Sequence, residues 1–150
     1  MATLGNFTAA VLTAAELNAI GTWTAWTPTL SNLTLGTGST SQHRYSQINK
    51  VVVFRSKIVL GTGGSVGGVF SLTLPTNAYA THSVAASVNF IDSGGSFYPG
   101  SVTNITAGAL EVFAINSSGT YSVMTQVTTG VPFTWSSGDI ITIAGVYEAA

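Results

Sequence analysis

The sequence predicts an all-β protein, an antiparallel β-sandwich of the jelly-roll type with a short helix before it. From Trp23 onward, short β-branched and aromatic runs alternate with Gly, Ser, Asn and Pro, as is typical of antiparallel sandwiches. Hydrophobic residues make up 45% of the 150-residue chain, which is enough for one core, and the length suits one domain. We therefore divide the chain into an N-terminal segment, residues 1–22, and a β-sandwich domain, residues 23–150.

The N-terminal segment contains the one predicted helix. Thr13 and Glu16 form a capping-box pattern, in which the hydroxyl and the carboxylate each satisfy a backbone N–H at the start of a helix. Leu17 and Ile20 then fall on one face, and Gly21 suits the position just after the last turn. Because a helix of two turns is unstable alone, it must dock on its own domain, on a second copy, or on another protein.

A hairpin is predicted next. From Lys50 to Leu60 apolar and polar residues alternate, which assigns Val52, Phe54, Ile58 and Leu60 to the core and turns Arg55 and Lys57 outward. Residues 43–48 are the expected partner strand, joined through the tight turn 48–51.

Further strands follow at short, regular spacing. They are expected at Val69 to Leu74, Ser83 to Ile91, Ser96 to Ile105, Ala109 to Ile115 and Tyr121 to Val127. The glycine-rich stretch 61–68 is expected to be a mobile loop that faces outward, as does the connection 93–100.

The last predicted strand, from Asp139 to Glu148, is apolar on both faces. Ile140, Ala144 and Val146 alternate with Ile141, Ile143 and Tyr147. A strand that is apolar on both sides requires neighbours on both sides, and in so small a sandwich one neighbour could be another subunit.

The charge content restricts the partners. Only 6% of the residues are charged and the net charge is −1, so the chain offers little attraction for nucleic acid. No segment has the continuous apolar length that membrane insertion needs, and the start lacks the basic region of a signal peptide. Near-zero charge together with high apolar content favours association, so a homo-oligomer is expected.

No catalytic, cofactor or metal site is expected. Gly63 to Gly67 matches the nucleophile-elbow pattern around Ser65, but a strand rather than a helix follows it. His43 and His82 stand far apart, with no carboxylate within four residues of either. An esterase built on Ser65 is therefore the least favoured alternative.

The remaining class of function is recognition of a ligand or partner at the protein surface. The run Phe97-Tyr98-Pro99-Gly100 is expected to form an exposed turn, and Phe97 and Tyr98 are candidates for stacking on sugar rings or for contact with a partner.

Several short runs carry a family resemblance. They are FTAAVLTAAELNAIG at residues 7–21, WTPTL at 26–30, RYSQINKVVVFR at 44–55, and PFTWSSGD at 132–139 followed by YE at 147–148. Together they resemble small virion proteins of tailed bacteriophages, which are described as minor tail, tail-fibre or head-fibre proteins.

The resemblance implies a non-enzymatic structural subunit on the surface of the phage particle, assembled in the host cytoplasm. It would be a trimeric β knob, anchored to other phage structural proteins through its N-terminal segment. The order of a helix followed by strands leads us to assign the anchoring to Phe7, Leu12, Leu17 and Ile20. A tail-tip or fibre subunit would contact the host surface, with glycan as the expected ligand. The alternatives are a capsid decoration or head-fibre protein attached to capsomers and, outside the family, a free carbohydrate-binding module.

Overall fold

The computed structural model describes residues 20–150, and this part of the chain contains ten strands and no helix. Residues 1–19, which carry most of the predicted helix together with Phe7, Leu12 and Leu17, lie outside the described residues. The strands are β1 (Thr24–Ala25), β2 (Leu30–Thr34), β3 (Thr40–Ile48), β4 (Val51–Val59), β5 (Ser65–Thr73), β6 (Ala85–Ile91), β7 (Phe97–Thr106), β8 (Ala109–Asn116), β9 (Val123–Gln126) and β10 (Ile140–Glu148).

All ten strands belong to one antiparallel, strongly curled sheet. Its order is β1-β3-β4-β10-β6-β7-β8-β5-β2, and β9 pairs with residues 113–116 of β8, beyond the residues that pair with β5. The C-terminal strand β10 is therefore central, since it pairs along its whole length with β4 and over seven residues with β6. The prediction of an all-β antiparallel protein is confirmed.

The segment that holds β1 and β2 links the two ends of the sheet. These strands are neighbours in sequence, yet β1 pairs with β3 and β2 pairs with β5. Between them the Trp26 N–H donates to the carbonyl of His43, while its indole N–H donates to the carbonyl of Thr73 on β5. Thr29 continues this connection, because its carbonyl accepts from the Thr73 N–H at 3.1 Å. The curled sheet thus encloses one hydrophobic core.

The predicted hairpin is confirmed. Strands β3 and β4 pair from Thr40–Val59 to Ile48–Val51, and Asn49 turns the chain with a φ of 54°. Along β4, every second side chain from Val52 to Ile58 is buried, and the intervening ones are exposed. The alternation fixes the register, because a slip of one residue would turn the whole core face to water.

Two loop predictions are wrong. Strand β5 begins at Ser65, so half of the expected loop 61–68 lies in the sheet and Val66 is fully buried. The remainder is pinned, since the Gly61 N–H donates to the carbonyl of Leu35 at 2.8 Å. Residues 97–100 are likewise the start of β7 rather than an exposed turn. In both places glycine and proline lie within paired strands, where composition alone indicates a turn.

The apolar faces of β10 have different environments within the chain. Ile141, Ile143 and Tyr147 point into the core and are buried. On the outer side, Ala144 and Val146 are exposed, with 42% of Val146 accessible to solvent. The described chain therefore covers only one of the two faces.

Asp139 opens β10 as a buried turn residue. Its carboxylate accepts from the backbone N–H groups of Ser93 at 2.8 Å and Ser136 at 2.5 Å. A buried carboxylate is tolerated where such donors surround it. This contact ties the β6–β7 turn to the start of the central strand.

Gly145 allows a steric test of how the central strand β10 packs against β6. A Cβ at this position would overlap the Cβ of Ala86 on β6 and would lie 2.6 Å from the carbonyl oxygen of Ala85. Gly145→Ala should therefore lower the free energy of unfolding by roughly 1–3 kcal/mol, as overpacking does. Urea unfolding measures the change. Gly67→Ala is the matched control, because a Cβ there meets nothing within 4 Å. Equal stability of the two variants would contradict the packing described for β10.

Candidate functional site

The candidate catalytic residues Ser65, His43 and His82 make separate contacts in the structure. Ser65 lies at the exposed start of β5, in register with Thr34 on β2. The ring of His43 instead shares a 2.8 Å hydrogen bond with the hydroxyl of Ser56, and His82 bonds to Thr103 at 2.9 Å. Neither histidine has a hydrogen bond to Ser65 within residues 20–150.

His43 is part of the packed interior. Its ring makes an edge contact with Trp26, at 5.4 Å between centroids, and its partner Ser56 is 1% exposed. Burial lowers the pKa of His43 below its ordinary value. The neutral ring is therefore the favoured form in the folded protein.

Within residues 20–150, no group of three or more His, Cys, Asp or Glu side chains is placed to hold a metal ion. Over the same range, no helix has the length and apolarity to cross a membrane.

A first candidate surface is the outer side of β3, β4 and β10. Four exposed side chains form it, and we call them the apolar face: Ile48, Val51, Val53 and Val146. Ile48 is paired with Val51, and Val53 lies opposite Val146, so these residues are cross-strand neighbours. Between 42% and 54% of each side chain is exposed. An apolar surface on three adjacent strands is typical of a contact that the single chain leaves open.

The start of the described chain lies beside the apolar face. Gly21 is next to Ile48, since a Cβ on Gly21 would lie 3.4 Å from the Ile48 Cδ1 atom. Ile20, one of the four predicted anchoring residues, is 54% exposed there, and the other three lie outside the described residues. Trp23 covers Arg55 on β4, with 5.6 Å between the guanidinium carbon and the ring centroid. The first described residues of the N-terminal segment thus lie next to the apolar face.

The two predicted recognition residues lie on opposite sides of β7. Phe97 is outward and 73% exposed. Tyr98 pairs with the buried Phe90 and is half-buried on the inner side, where its ring lies 5.1 Å from that of Phe133. Because adjacent residues of a strand point to opposite faces, these two side chains do not form one surface.

A second candidate surface is an open cleft of about 440 Å³ beside Tyr98, which we call the Tyr98 cleft. It lies between the ends of β8 and β9 and the turn that holds the cis Val131–Pro132 peptide bond. Its lining includes Tyr98, Asn116, Ser118, Thr125, Val131 and Pro132 and contains no charged residue. Its volume falls within the range of small-molecule sites.

The core holds the wall of the Tyr98 cleft in place. Phe133 contacts Trp135 at 4.6 Å between ring centroids, and Trp135 contacts Phe90 at 5.9 Å. The Trp135 indole N–H donates to the carbonyl of Thr128 at 2.8 Å. The Tyr98 ring is therefore the outer end of an aromatic row that begins in the hydrophobic core.

Comparisons of the chain with protein-family models, with curated proteins and with solved structures find no match.

Sequence reasoning missed both surfaces in part. The alternation along β4 placed Val51 and Val53 on the same side as Arg55, and this signal could have revealed the apolar face. The Tyr98 cleft combines residues from four separate segments. Apart from the turn chemistry of residues 116–119, no local pattern indicates it.

The buried state of His43 predicts a dependence of stability on pH. As the pH falls below about 6.5, the unfolded chain binds a proton before the folded chain does, so the free energy of unfolding falls until the pH passes the lowered folded pKa. Melting temperatures between about pH 7.5 and about pH 5 should show this loss, and His43→Gln should reduce it. The exposed His82→Gln variant is the control and should behave like the wild type. An unchanged pH dependence in His43→Gln would contradict this account.

Proposed function

We propose that the chain is a non-enzymatic structural subunit of a tailed-bacteriophage particle, anchored through its N-terminal segment and displayed outward as an oligomeric β body. The proposed subunit is of the tail-tip or fibre type and adheres to the host surface through glycan. The resemblance of several short runs to tailed-phage virion proteins supports this assignment.

The apolar face is the observation that carries the oligomeric part of the proposal. Val53 and Val146 lie opposite each other on two central strands and are each 42% exposed. The chain has only nine charged residues to keep such a surface in solution. Burial of the face against a second copy removes this apolar area from water, and the gain is about 25 cal/mol for each Å².

The proposed assembly is a trimer of jelly-roll bodies. In a cyclic arrangement every copy buries an equivalent surface, and all chains leave the assembly on the same side. Since Ile20 and Gly21 lie beside the apolar face, the N-terminal segments of the copies would start close to the shared interface. Such a geometry suits attachment to a particle at one point.

Two other assignments predict different observations. A capsid decoration or head-fibre subunit would be present in tens to hundreds of copies per particle, whereas a tail-tip subunit would be present in a few. A free carbohydrate-binding module is favoured by the Tyr98 cleft, with its aromatic and hydroxyl-bearing lining. It would be a stable monomer that needs no particle.

The mass of the purified chain tests the role of the apolar face. Light scattering should give roughly three times the 15.4 kDa chain mass for the wild type. The double variant Val53→Lys and Val146→Lys should give the mass of one chain with an unchanged circular dichroism spectrum, because both side chains are exposed in the single chain. Val123→Lys is the matched control, since this valine is 54% exposed on β9, away from the apolar face. A monomeric wild type would contradict the oligomeric proposal.

The anchoring role of the N-terminal segment is tested in particles. Deletion of residues 1–20 should abolish incorporation while the body keeps its melting temperature, because the sheet that the structure describes begins only at Thr24. A triple variant, Phe7→Ser, Leu12→Ser and Leu17→Ser, should also fail to incorporate. The control variant Thr8→Ser and Asn18→Ser should be retained. Incorporation of the chain that lacks residues 1–20 would contradict the anchoring role of this segment.

A further inference from the structure

We infer that the Tyr98 cleft binds a neutral saccharide. This inference builds on the displayed-subunit proposal and deepens it, because it assigns the adhesive role to a defined site and a ligand class. It also separates the two predicted recognition residues, since Tyr98 lines the cleft and Phe97 lies on the other side of the strand.

The lining selects against charged ligands. None of the residues that line the Tyr98 cleft carries a charge, so an anionic or cationic group would lose its hydration there without a charged partner. A neutral ligand with its own hydroxyl groups loses far less hydration free energy in the cleft. The cleft is also open enough for exchange with solvent and lies at the surface end of the aromatic row.

The polar groups of the cleft are ready to pair with hydroxyl groups. Within residues 20–150, the Tyr98 hydroxyl and the Thr125 hydroxyl make no hydrogen bond. The side-chain oxygen of Asn116 accepts from the N–H and the hydroxyl of Ser118, at 3.0 and 2.7 Å. These bonds fix the orientation of the Asn116 amide, whose NH2 group keeps both of its donors available.

The aromatic component is held rigidly. Contact with Phe133 supports the Tyr98 ring, and Phe133 is in turn held by Trp135. A sugar combines a C–H face, which packs on an aromatic ring, with hydroxyl groups around its edge. A fixed ring beside uncommitted hydroxyl and amide donors matches that combination, and little conformational entropy is lost when the ligand binds.

The Tyr98 cleft is separate from the apolar face. It is formed by β7, β8, β9 and the turn at 131–132, and its Tyr98 and Ala114 side chains point to the inner side of the sheet. The apolar face lies on the outer side of β3, β4 and β10. Association through the apolar face therefore does not use the residues of the cleft.

Titration of the full-length chain with a panel of disaccharides tests the inference. The panel contains maltose, cellobiose, lactose and diacetylchitobiose, with digalacturonate as the acidic comparison. Amide shifts in NMR spectra locate the site, and their concentration dependence gives Kd. We expect at least one neutral disaccharide to shift residues of the Tyr98 cleft, and digalacturonate to bind more weakly.

Three variants test whether the saccharide binds in the Tyr98 cleft or elsewhere on the sheet. Tyr98→Phe and Thr125→Val each remove a hydroxyl while keeping the shape of the side chain, and each should weaken binding about 2- to 10-fold, the effect of one hydrogen bond. Phe97→Leu, on the opposite side of β7, should leave Kd unchanged. All three should retain the wild-type melting temperature.

Two results would overturn the inference. One is that no neutral disaccharide in the panel binds, and the other is that binding persists unchanged in both Tyr98→Phe and Thr125→Val. Neither result affects the oligomeric and anchoring parts of the proposed function, because subunit mass and incorporation into particles are measured without any saccharide.

Discussion

The structure depends on the pairing of β10 between β4 and β6. This strand is last in the sequence and central in the sheet, and its inner side chains Ile141, Ile143 and Tyr147 are all buried. In the sheet order, β10 is the strand that joins the hairpin β3–β4 to β6. The core therefore closes only when the C-terminal end of the chain is in place, which makes the fold dependent on contacts that are distant in sequence. Asp139 anchors the beginning of this strand to the β6–β7 turn.

The sequence predicts those parts of the fold in which a local pattern and a long-range contact agree. The alternation in β4 predicts both the hairpin and its buried face, because period two in side-chain burial is a property of the strand itself. The same reasoning fails at residues 65–68 and 97–100, where glycine and proline are held in strands by their neighbours. The link from Trp26 to Thr73 spans 47 residues, and no local signal indicates it.

The two candidate surfaces also differ in how far a local sequence pattern predicts them. The apolar face consists of neighbouring residues on a predicted hairpin and a predicted strand, so its components were visible in the sequence. The Tyr98 cleft needs the ends of three strands and a turn to converge, which only the curled sheet brings about. Of the two residues predicted for recognition, the pleat of β7 places one in the cleft and the other outside it.

Together these surfaces give the protein two sides with different tasks in the proposed function. The outer side of β3, β4 and β10 offers apolar area next to the first described residues, Ile20 and Gly21, and the proposal assigns association and anchoring to this side. The inner side at β7, β8 and β9 offers an uncharged cleft for recognition. The low charge content of the chain is consistent with this division, because neither task requires ion pairs.

The central claim is that the apolar face is covered by another copy in the assembled protein, and thiol labelling tests it most directly. The chain contains no cysteine, so single Val53→Cys and Val123→Cys variants each carry one reactive group. Under native conditions we predict that maleimide reacts with the cysteine at position 53 at least about tenfold more slowly than with the one at position 123, and equally fast in urea. Equal native rates would show that the face is open to solvent and would contradict the claim.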